Sequence, residues 1–320
     1  MNYQSCSANA PGKIILFGEH AAVYGRPAIA IPVTQVKAIA EISPSFGNEI
    51  RILAPDIHID STLHELPANH PLAALLNLIQ NTYKINDFEA FTIRVHSTIP
   101  VAAGLGSSAA VSVAITRAIS QFFGLALDNP QISNLVYEIE KIQHGSPSGI
   151  DNSVITYQQP ILFQRDLPIL PINLTQPFTF LVGDTGIPSK TSASVGKVRK
   201  AREMELDRYN QYFDEIAAIT VKAKNILEGS GTITQLGELL NQNHGILQKI
   251  GVSCHALDTL VTTAIDSGAY GAKLCGGGDG GNMIALVSEK TIEKVRAALI
   301  VAGAVRVITT NIEPTGQAHG

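Results

Sequence analysis

A stretch of small side chains, AAGLGSSAA at positions 102–110, carries the clearest chemical signal in this sequence. Glycine allows another group to approach the main chain closely, whereas such small side chains bury little apolar area. The stretch follows a strand-like segment and leads into a helix expected from about Ser107 to Phe123. The unpaired N–H groups and the positive dipole end of a helix N-terminus favour an anion. The pattern therefore indicates a turn that binds phosphate, with Ser107 and Ser108 expected to cap the helix.

Three interpretations of this turn remain open from its own residues. The first is a nucleotide phosphate loop, although it is not the Walker A sequence G-x-x-x-x-G-K-[ST]. The second is a dinucleotide fingerprint, since Gly104, Gly106 and Ala109 fit G-x-G-x-x-A. The third is a small-residue helix that packs closely on a sheet and binds nothing. The next acidic residue, Asp128, does not end a strand, which weighs against the dinucleotide interpretation.

Two carboxylates further along the chain could act on a bound phosphate. Glu140 follows Val136 by four residues on a helix expected over Pro130–His144, with Asp128 or Asn129 as its N-cap, and so lies at the edge of the apolar face. Asp151 lies eleven positions later, in the turn-like GSPSGIDN. By themselves, these residues are better explained without any catalytic role, Glu140 as a solvated helix carboxylate and Asp151 as an Asx-turn residue.

The N-terminal segment APGKIILFGEHAAVYGRPAIA brings further polar groups near a strand. Lys13 lies beside the strand-like IILF, and Glu19 and His20 follow it directly. A lysine near a phosphate would stabilise developing negative charge, and a histidine could donate a hydrogen bond to a substrate. The alternatives are a surface lysine and a histidine with a purely structural hydrogen bond.

The elements that must position these groups form an α+β pattern in two domains. The 320 residues are long for one domain, and both halves alternate helical and strand-like segments. A Pro-rich segment near residues 152–185 separates strand-like ITY, ILFQR and FTFLVG, and we place the boundary there, giving domains 1–170 and 171–320. Helices are also expected over 71–83, 190–228, 232–249 and 254–267.

The composition narrows the class of function. With 23 basic and 27 acidic residues, the chain offers no general reason to bind nucleic acid or an anionic membrane. Its three scattered cysteines form neither a disulfide framework nor a metal clip, and its N-terminus lacks a secretory signal. We therefore expect a cytoplasmic protein with small-molecule partners, no nucleic acid and no membrane.

Several linked motifs together resemble the GHMP kinase superfamily, and their wording is most similar to that of the mevalonate kinases. These motifs are APGKIILFGEHAAVYGRPAIA, IPVAAGLGSSAA, EKIQHGSPSGIDN, DTGIPSKT and the second glycine-rich loop GAKLCGGGDGGN. The resemblance covers most of the chain. It implies a two-domain GHMP kinase fold, with an N-terminal domain like ribosomal protein S5 domain 2 and a ferredoxin-like C-terminal domain.

The resemblance also implies an activity. A mevalonate kinase transfers the γ-phosphoryl group of ATP to (R)-mevalonate, giving 5-phosphomevalonate for isoprenoid synthesis, with Mg²⁺ as cofactor and a homodimer as the expected assembly. Asp151 would be the catalytic base with Lys13 beside it, and Ser108 and Glu140 would hold Mg²⁺. Glu19, His20 and Thr185 would lie near the substrate. The phosphates would be held by Ala102, Ala103, Gly104, Leu105, Gly106, Ser107 and Ser108.

The sequence departs from this family at its second glycine-rich loop. Where mevalonate kinases usually have KLTGAGGGG, this chain has KLCGGGDGG, which introduces Cys275, Gly277 and Asp279. We expect Asp279 to point away from the nucleotide, because a carboxylate would repel phosphate unless Mg²⁺ or a lysine offset it. The alternatives for function are a related GHMP kinase acting on phosphomevalonate or another small alcohol, and a non-catalytic binding protein of the same fold.

Overall fold

The fold is that of a computed structural model, which describes residues 3–47, 49–85, 90–100, 104–144, 147–189 and 191–314. These residues form two compact units that interleave along the chain. The first unit comprises Met1–Gly12, Val36–Pro100 and Gly106–Gln158, and the second comprises Lys13–Gln35, Val101–Leu105 and Gln159–Gly320. The domain boundary that we expect between residues 170 and 171 stays a prediction.

Two long strands, β1 (Cys6–Phe17) and β2 (Ala28–Pro44), pair with each other and contribute residues to both units. In the first unit, the later part of β2 pairs antiparallel with β5 (Phe91–Ser97), from Ala38 opposite Ser97 to Pro44 opposite Phe91. Beyond β5 come β3 (Arg51–Ala54), which is parallel to it, and β4 (Ile59–Thr62).

Four helices complete the described part of the first unit. They are α1 (Pro71–Tyr83), α2 (Ser107–Phe122), α3 (Asn129–His144) and α4 (Ile150–Tyr157). The bounds of α1, α2 and α3 agree with the helices expected from the sequence to within a residue or two. Asp128 is the N-cap of α3, because its carboxylate accepts from the Gln131 N–H at 2.9 Å while the Gln131 side chain accepts from the Asp128 N–H at 2.9 Å.

The helix α4 corrects two expectations. The sequence pattern predicts a turn at Asp151 and a strand at the following ITY, whereas both lie in α4. Gly149, with φ of 92°, precedes the helix in the left-handed conformation that glycine tolerates. The β-branched residues Val154, Ile155 and Thr156 mimic a strand locally, but they are buried by tertiary packing in a helix.

The second unit contains a four-stranded antiparallel sheet in the order β11-β8-β10-β9. The strands of this sheet are β8 (Phe178–Asp184), β9 (Gly271–Cys275), β10 (Asn282–Val287) and β11 (Arg306–Ile312). Two short strands precede them in the chain, β6 (Ile161–Phe163) and β7 (Leu170–Pro171). The short strands β6 and β7 pair with each other, and β6 also pairs with the start of β2. The described helices are α5 (Thr191–Met204), α6 (Leu206–Leu227), α7 (Ile233–Ile250), α8 (His255–Asp266) and α9 (Ile292–Val301).

Helix α7 packs on strand β9 with main chain against main chain. A Cβ added at Gly271 would lie 1.9 Å from the Gly237 carbonyl oxygen, and one added at Gly237 would lie 2.2 Å from the Tyr270 carbonyl oxygen. Both distances are far below contact, so these two positions require glycine. In the chain as far as it is described, no helix is both long and apolar enough to traverse a lipid bilayer.

Candidate active site

The glycine-rich turn leads directly into α2. Gly104 and Gly106 adopt φ of 75° and 74°, the left-handed region in which a Cβ is disfavoured. Gly106, not a serine, is the N-cap, and it has no side-chain cap; Ser107 and Ser108 are the first helical residues. The expectation that these serines cap the helix was therefore wrong. Their N–H groups point out of an uncapped helix start, the arrangement that accepts an anion.

Part of the predicted phosphate loop can be placed and part cannot. Ala102 and Ala103 lie outside the described residues. Leu105 is buried, and its carbonyl accepts from the Lys13 N–H at 2.9 Å within the second unit. The side chain of Lys13 is 5% exposed, so it is not the surface charge that the alternative interpretation required.

The start of α2 meets α3 through two oxygen-bearing side chains. The Ser108 hydroxyl donates to Glu140 Oε1 at 2.9 Å. Glu140 is only 4% exposed, which excludes the solvated helix carboxylate considered from the sequence. The neighbouring Glu138 is exposed and pairs with Lys141 at 2.7 Å, as expected for the opposite side of the helix.

This pair of oxygens fits a hard divalent cation. Mg²⁺ prefers oxygen ligands and keeps several waters, so one hydroxyl and one carboxylate beside a phosphate site are a sufficient protein contribution. Among the described residues, no group of three or more His, Cys, Asp or Glu side chains could hold a metal ion. Hydroxyl and carboxylate oxygens are hard donors, which suit Mg²⁺ better than a metal that prefers Cys or His ligands.

The third site residue of the first unit is Asp151, in the first turn of α4. Carboxylates are favoured at this end of a helix by the macrodipole. The next residue, Asn152, is 5% exposed and donates from Nδ2 to the carbonyl and hydroxyl oxygens of Ser133 in α3, at 3.1 and 2.9 Å. The first unit thus carries Ser108, Glu140 and Asp151 on three different helices.

In the second unit, Glu19 and His20 follow β1 at a tight turn. A Cβ at Gly18 would lie 2.5 Å from the Ala28 Cα, so the turn requires glycine before Glu19. The buried His20 donates from Nε2 to the Gly277 carbonyl at 3.0 Å. Burial lowers the pKa of His20, which keeps its imidazole neutral. This hydrogen bond matches the structural alternative for His20, and its contact with substrate stays a prediction.

Glu19 forms a fully buried ion pair that the sequence analysis missed. The Lys273 ammonium donates to Glu19 Oε1, and both side chains have no exposed surface. Lys273 also donates to the Leu274 carbonyl at 2.6 Å. Burial is the largest effect on Glu19 and raises its pKa, with Lys273 partly offsetting the shift. The available signal was one lysine inside the otherwise apolar GAKLC strand, which needs a partner if buried.

Asp279 lies on the second glycine-rich loop, Gly276–Gly281, and Thr185, which directly follows β8, contacts this loop. The Thr185 hydroxyl donates to the Gly281 carbonyl at 2.8 Å. Asp279 has φ of 55°, and its carboxylate accepts from Ser194 at 3.1 Å and from Lys197 at 3.2 Å. Lys197 therefore offsets part of this charge, and the expectation that Asp279 points away from the nucleotide stays a prediction. The second unit brings Glu19, His20 and Thr185 to the strand ends that flank this loop.

The chain as a whole is similar to proteins of a known family. Residues 69–159 match the GHMP kinases N terminal domain, and residues 223–303 match the GHMP kinases C terminal family. A curated mevalonate kinase of Thermococcus gammatolerans is 35% identical over 325 residues, covering 94% of this chain and 95% of that protein.

Two solved structures agree with this chain over nearly its whole length. The mevalonate kinase of Methanococcus jannaschii is 26% identical with a TM-score of 0.84, covering 98% of each chain. The L. major mevalonate kinase in complex with R-mevalonate is 27% identical with a TM-score of 0.83, covering 97% of this chain and 96% of that one. The chain has the GHMP kinase fold and belongs to the mevalonate kinase family of the GHMP kinases.

Proposed function

We propose that this protein transfers the γ-phosphoryl group of ATP to (R)-mevalonate, giving 5-phosphomevalonate and ADP. The observation that carries the proposal is the Ser108–Glu140 oxygen pair at the uncapped start of α2, directly after the glycine-rich turn. Its setting in a chain 35% identical to a curated mevalonate kinase supports the choice of substrate. The same similarity supports a role in cytoplasmic isoprenoid synthesis and assembly as a homodimer.

The first unit supplies the groups that hold the phosphates. The residues assigned to them run from Ala102 to Ser108, and the N–H groups at the start of α2 bind oxygens of the triphosphate. Ser108 and Glu140 would hold Mg²⁺. When bound, this ion neutralises charge on the phosphate oxygens as the phosphoryl group is transferred.

Transfer needs a polarised hydroxyl and a counter-charge. We assign Asp151 as the base that accepts the proton of the primary hydroxyl of mevalonate. The hydroxyl oxygen bonds to the γ-phosphorus as the bond from that phosphorus to the β,γ-bridging oxygen breaks, and ADP leaves. Lys13 is assigned to stabilise negative charge that develops during this step.

The mevalonate end is assigned to the second unit. Glu19, His20 and Thr185 are its proposed substrate residues, and all three are at most 9% exposed. Glu19 is committed to Lys273, so it would act on the substrate as one half of an ion pair and not as an isolated carboxylate.

ADP release with a panel of alcohols tests this function. Wild-type protein, ATP and Mg²⁺ are assayed with (R)-mevalonate, phosphomevalonate, galactose and homoserine, beside an Asp151→Ala control. We expect turnover with (R)-mevalonate, and a loss on the order of 10²–10⁴-fold in the control at retained circular dichroism. Turnover with phosphomevalonate alone would support the related-kinase alternative, and ATP binding without turnover would support a binding protein.

A further inference from the structure

Helix α4, which carries Asp151, has little means of holding its own position. It has eight residues, and isolated helices of that length are not stable in water. Its N-cap is Gly149, which provides no side-chain cap. The local supports are the Ser148 hydroxyl, which accepts from the Ile150 N–H at 3.3 Å, and the Ser153 hydroxyl, which donates to the Gly149 carbonyl at 2.6 Å. Its placement must therefore come from neighbouring helices.

The start of α4 is tied to α3 by the Asn152 carboxamide. Nδ2 donates to both the carbonyl and the hydroxyl oxygens of Ser133, so the two donors of this buried amide group have partners on one residue. Ser133 and Glu140 lie on the same face of α3, two helical turns and about 10 Å apart along the axis. Asn152 directly follows Asp151 in the chain. The amide thus fixes the main chain at Asp151 against the helix that carries Glu140.

The end of α4 is tied to α2. Arg117 donates to the Thr156 carbonyl at 2.6 Å and to the Asn9 carbonyl in β1 at 2.9 Å. The remaining pair of helices, α2 and α3, is joined by the Ser108–Glu140 hydrogen bond. Three side-chain hydrogen-bond ties therefore connect these three helices in pairs, and each helix carries one residue assigned to metal binding or proton transfer: Ser108, Glu140 or Asp151.

We propose that Asn152 is a positioning residue that sets the place of Asp151 relative to the metal-binding oxygens of Ser108 and Glu140. This inference rests on the proposed function. Asn152 acts through Asp151 and does not itself touch the substrate. Because phosphoryl transfer depends on alignment, a shift of α4 by about 1 Å lowers kcat on the order of 100-fold while leaving the binding of either substrate nearly unchanged.

The test compares Asn152→Ala with Thr116→Val. The control removes a buried hydrogen bond of 2.7 Å that stays inside α2, from Thr116 to the Ser112 carbonyl, so it costs stability without cutting a tie between helices. Both proteins are assayed with ATP and mevalonate at a temperature at which circular dichroism shows each to be folded. Amide hydrogen exchange of residues 150–157 is measured on the same samples.

The proposal expects two changes in Asn152→Ala and neither in Thr116→Val. Exchange in 150–157 rises at least about tenfold, and kcat falls on the order of 10–100-fold with both KM values within about threefold of wild type. Ser133→Ala, which keeps the carbonyl acceptor, should lie between the control and Asn152→Ala in both measurements.

Three results would overturn the proposal: unchanged exchange in 150–157, faster exchange with unchanged kcat, or an equal loss of kcat in Thr116→Val. Failure of the proposed function is a separate result, because it would be seen in the wild-type protein as absence of mevalonate phosphorylation. Hydrogen exchange would still decide whether Asn152 holds α4 in that case.

Discussion

The two units differ in the partners of their buried carboxylates, Glu140 in the first unit and Glu19 in the second. In the first unit, the Ser108 hydroxyl donates to the buried Glu140 carboxylate, and we propose that these two oxygen-bearing side chains hold Mg²⁺. In the second unit, Glu19 is already neutralised by Lys273, and both side chains are completely buried. A buried carboxylate is therefore proposed to bind a metal ion in the first unit, whereas in the second unit one forms an internal ion pair.

Local partners explain this difference. Burying a carboxylate lowers the stability of the fold unless the carboxylate is paired or binds a cation. In the second unit the pair is complete inside the fold, so its loss should appear as instability. In the first unit, Glu140 is proposed to bind Mg²⁺, so loss of its charge should appear mainly in phosphoryl transfer.

The largest effect is expected from breaking the buried pair. Lys273→Met leaves the buried Glu19 carboxyl without its ammonium partner, which should lower the free energy of unfolding by about 3–5 kcal/mol. Urea denaturation followed by circular dichroism measures this loss. The double variant Glu19→Gln with Lys273→Met removes both charges and should recover part of the stability. A loss below about 1 kcal/mol in the single variant would show that the pair is not a scaffold.

The matched change in the first unit should have a catalytic effect. Glu140→Gln keeps the size of the side chain and an oxygen that can accept from Ser108, but it removes the charge that would hold Mg²⁺. We expect kcat/KM to fall on the order of 100-fold at limiting Mg²⁺, with partial recovery at high Mg²⁺, and an unfolding midpoint close to that of wild type. An equally strong loss of stability would contradict the contrast between the units.

A dependence of stability on pH is expected from the second unit. His244 accepts from the Leu274 N–H through Nδ1 at 3.3 Å and donates through Nε2 to Asp258 at 3.1 Å. Burial is the main cause of its lowered pKa, so the folded state favours the neutral ring. The stability that comes from keeping His244 neutral is present above the pKa of the unfolded state, about 6.5, and is lost as pH falls below that pKa.

Denaturant unfolding at pH 7.5 and pH 5.5 measures this dependence. The wild-type protein should lose more stability over this interval than His244→Gln, which does not titrate there. Equal losses in the two proteins would exclude His244 as the source.

The smallest effect is expected at Asp279. Its charge is paired with Lys197 at a partly exposed site, and such pairs contribute at most about 1 kcal/mol. Asp279→Gly also suits the left-handed backbone, so stability should change by less than about 1 kcal/mol and the KM for ATP by less than about threefold. A sharp gain in ATP affinity would show that the native carboxylate repels the nucleotide.

Local patterns in the sequence predicted a large part of this structure. The 3.6-residue period of α3 placed Glu140 at the buried edge, and Asp128 was among the expected caps. The two-domain kinase fold and the family followed from linked motifs that extend along the chain. These features depend on neighbours within a few residues or on motifs with fixed spacing.

Features that depend on distant partners could not be predicted. Lys273 pairs with a residue 254 positions away, so its burial had no local sign beyond an isolated charge in an apolar strand. Helix α4 was taken for turn and strand, because β-branched residues favour strands until neighbouring helices bury them. The Asn152 tie to Ser133 likewise exists only once α3 and α4 are packed.

The glycine contact between α7 and β9 sets a limit on how this protein can change. Gly237 and Gly271 face each other with no room for a methyl group, and β9 also carries Lys273. An alanine at either glycine cannot be accommodated by a compensating change in a neighbouring side chain, since the obstacle is the main chain itself. Such a substitution would push β9 outward and disturb the Lys273 ion pair, which makes these two glycines natural positions for engineering a heat-sensitive form of the protein.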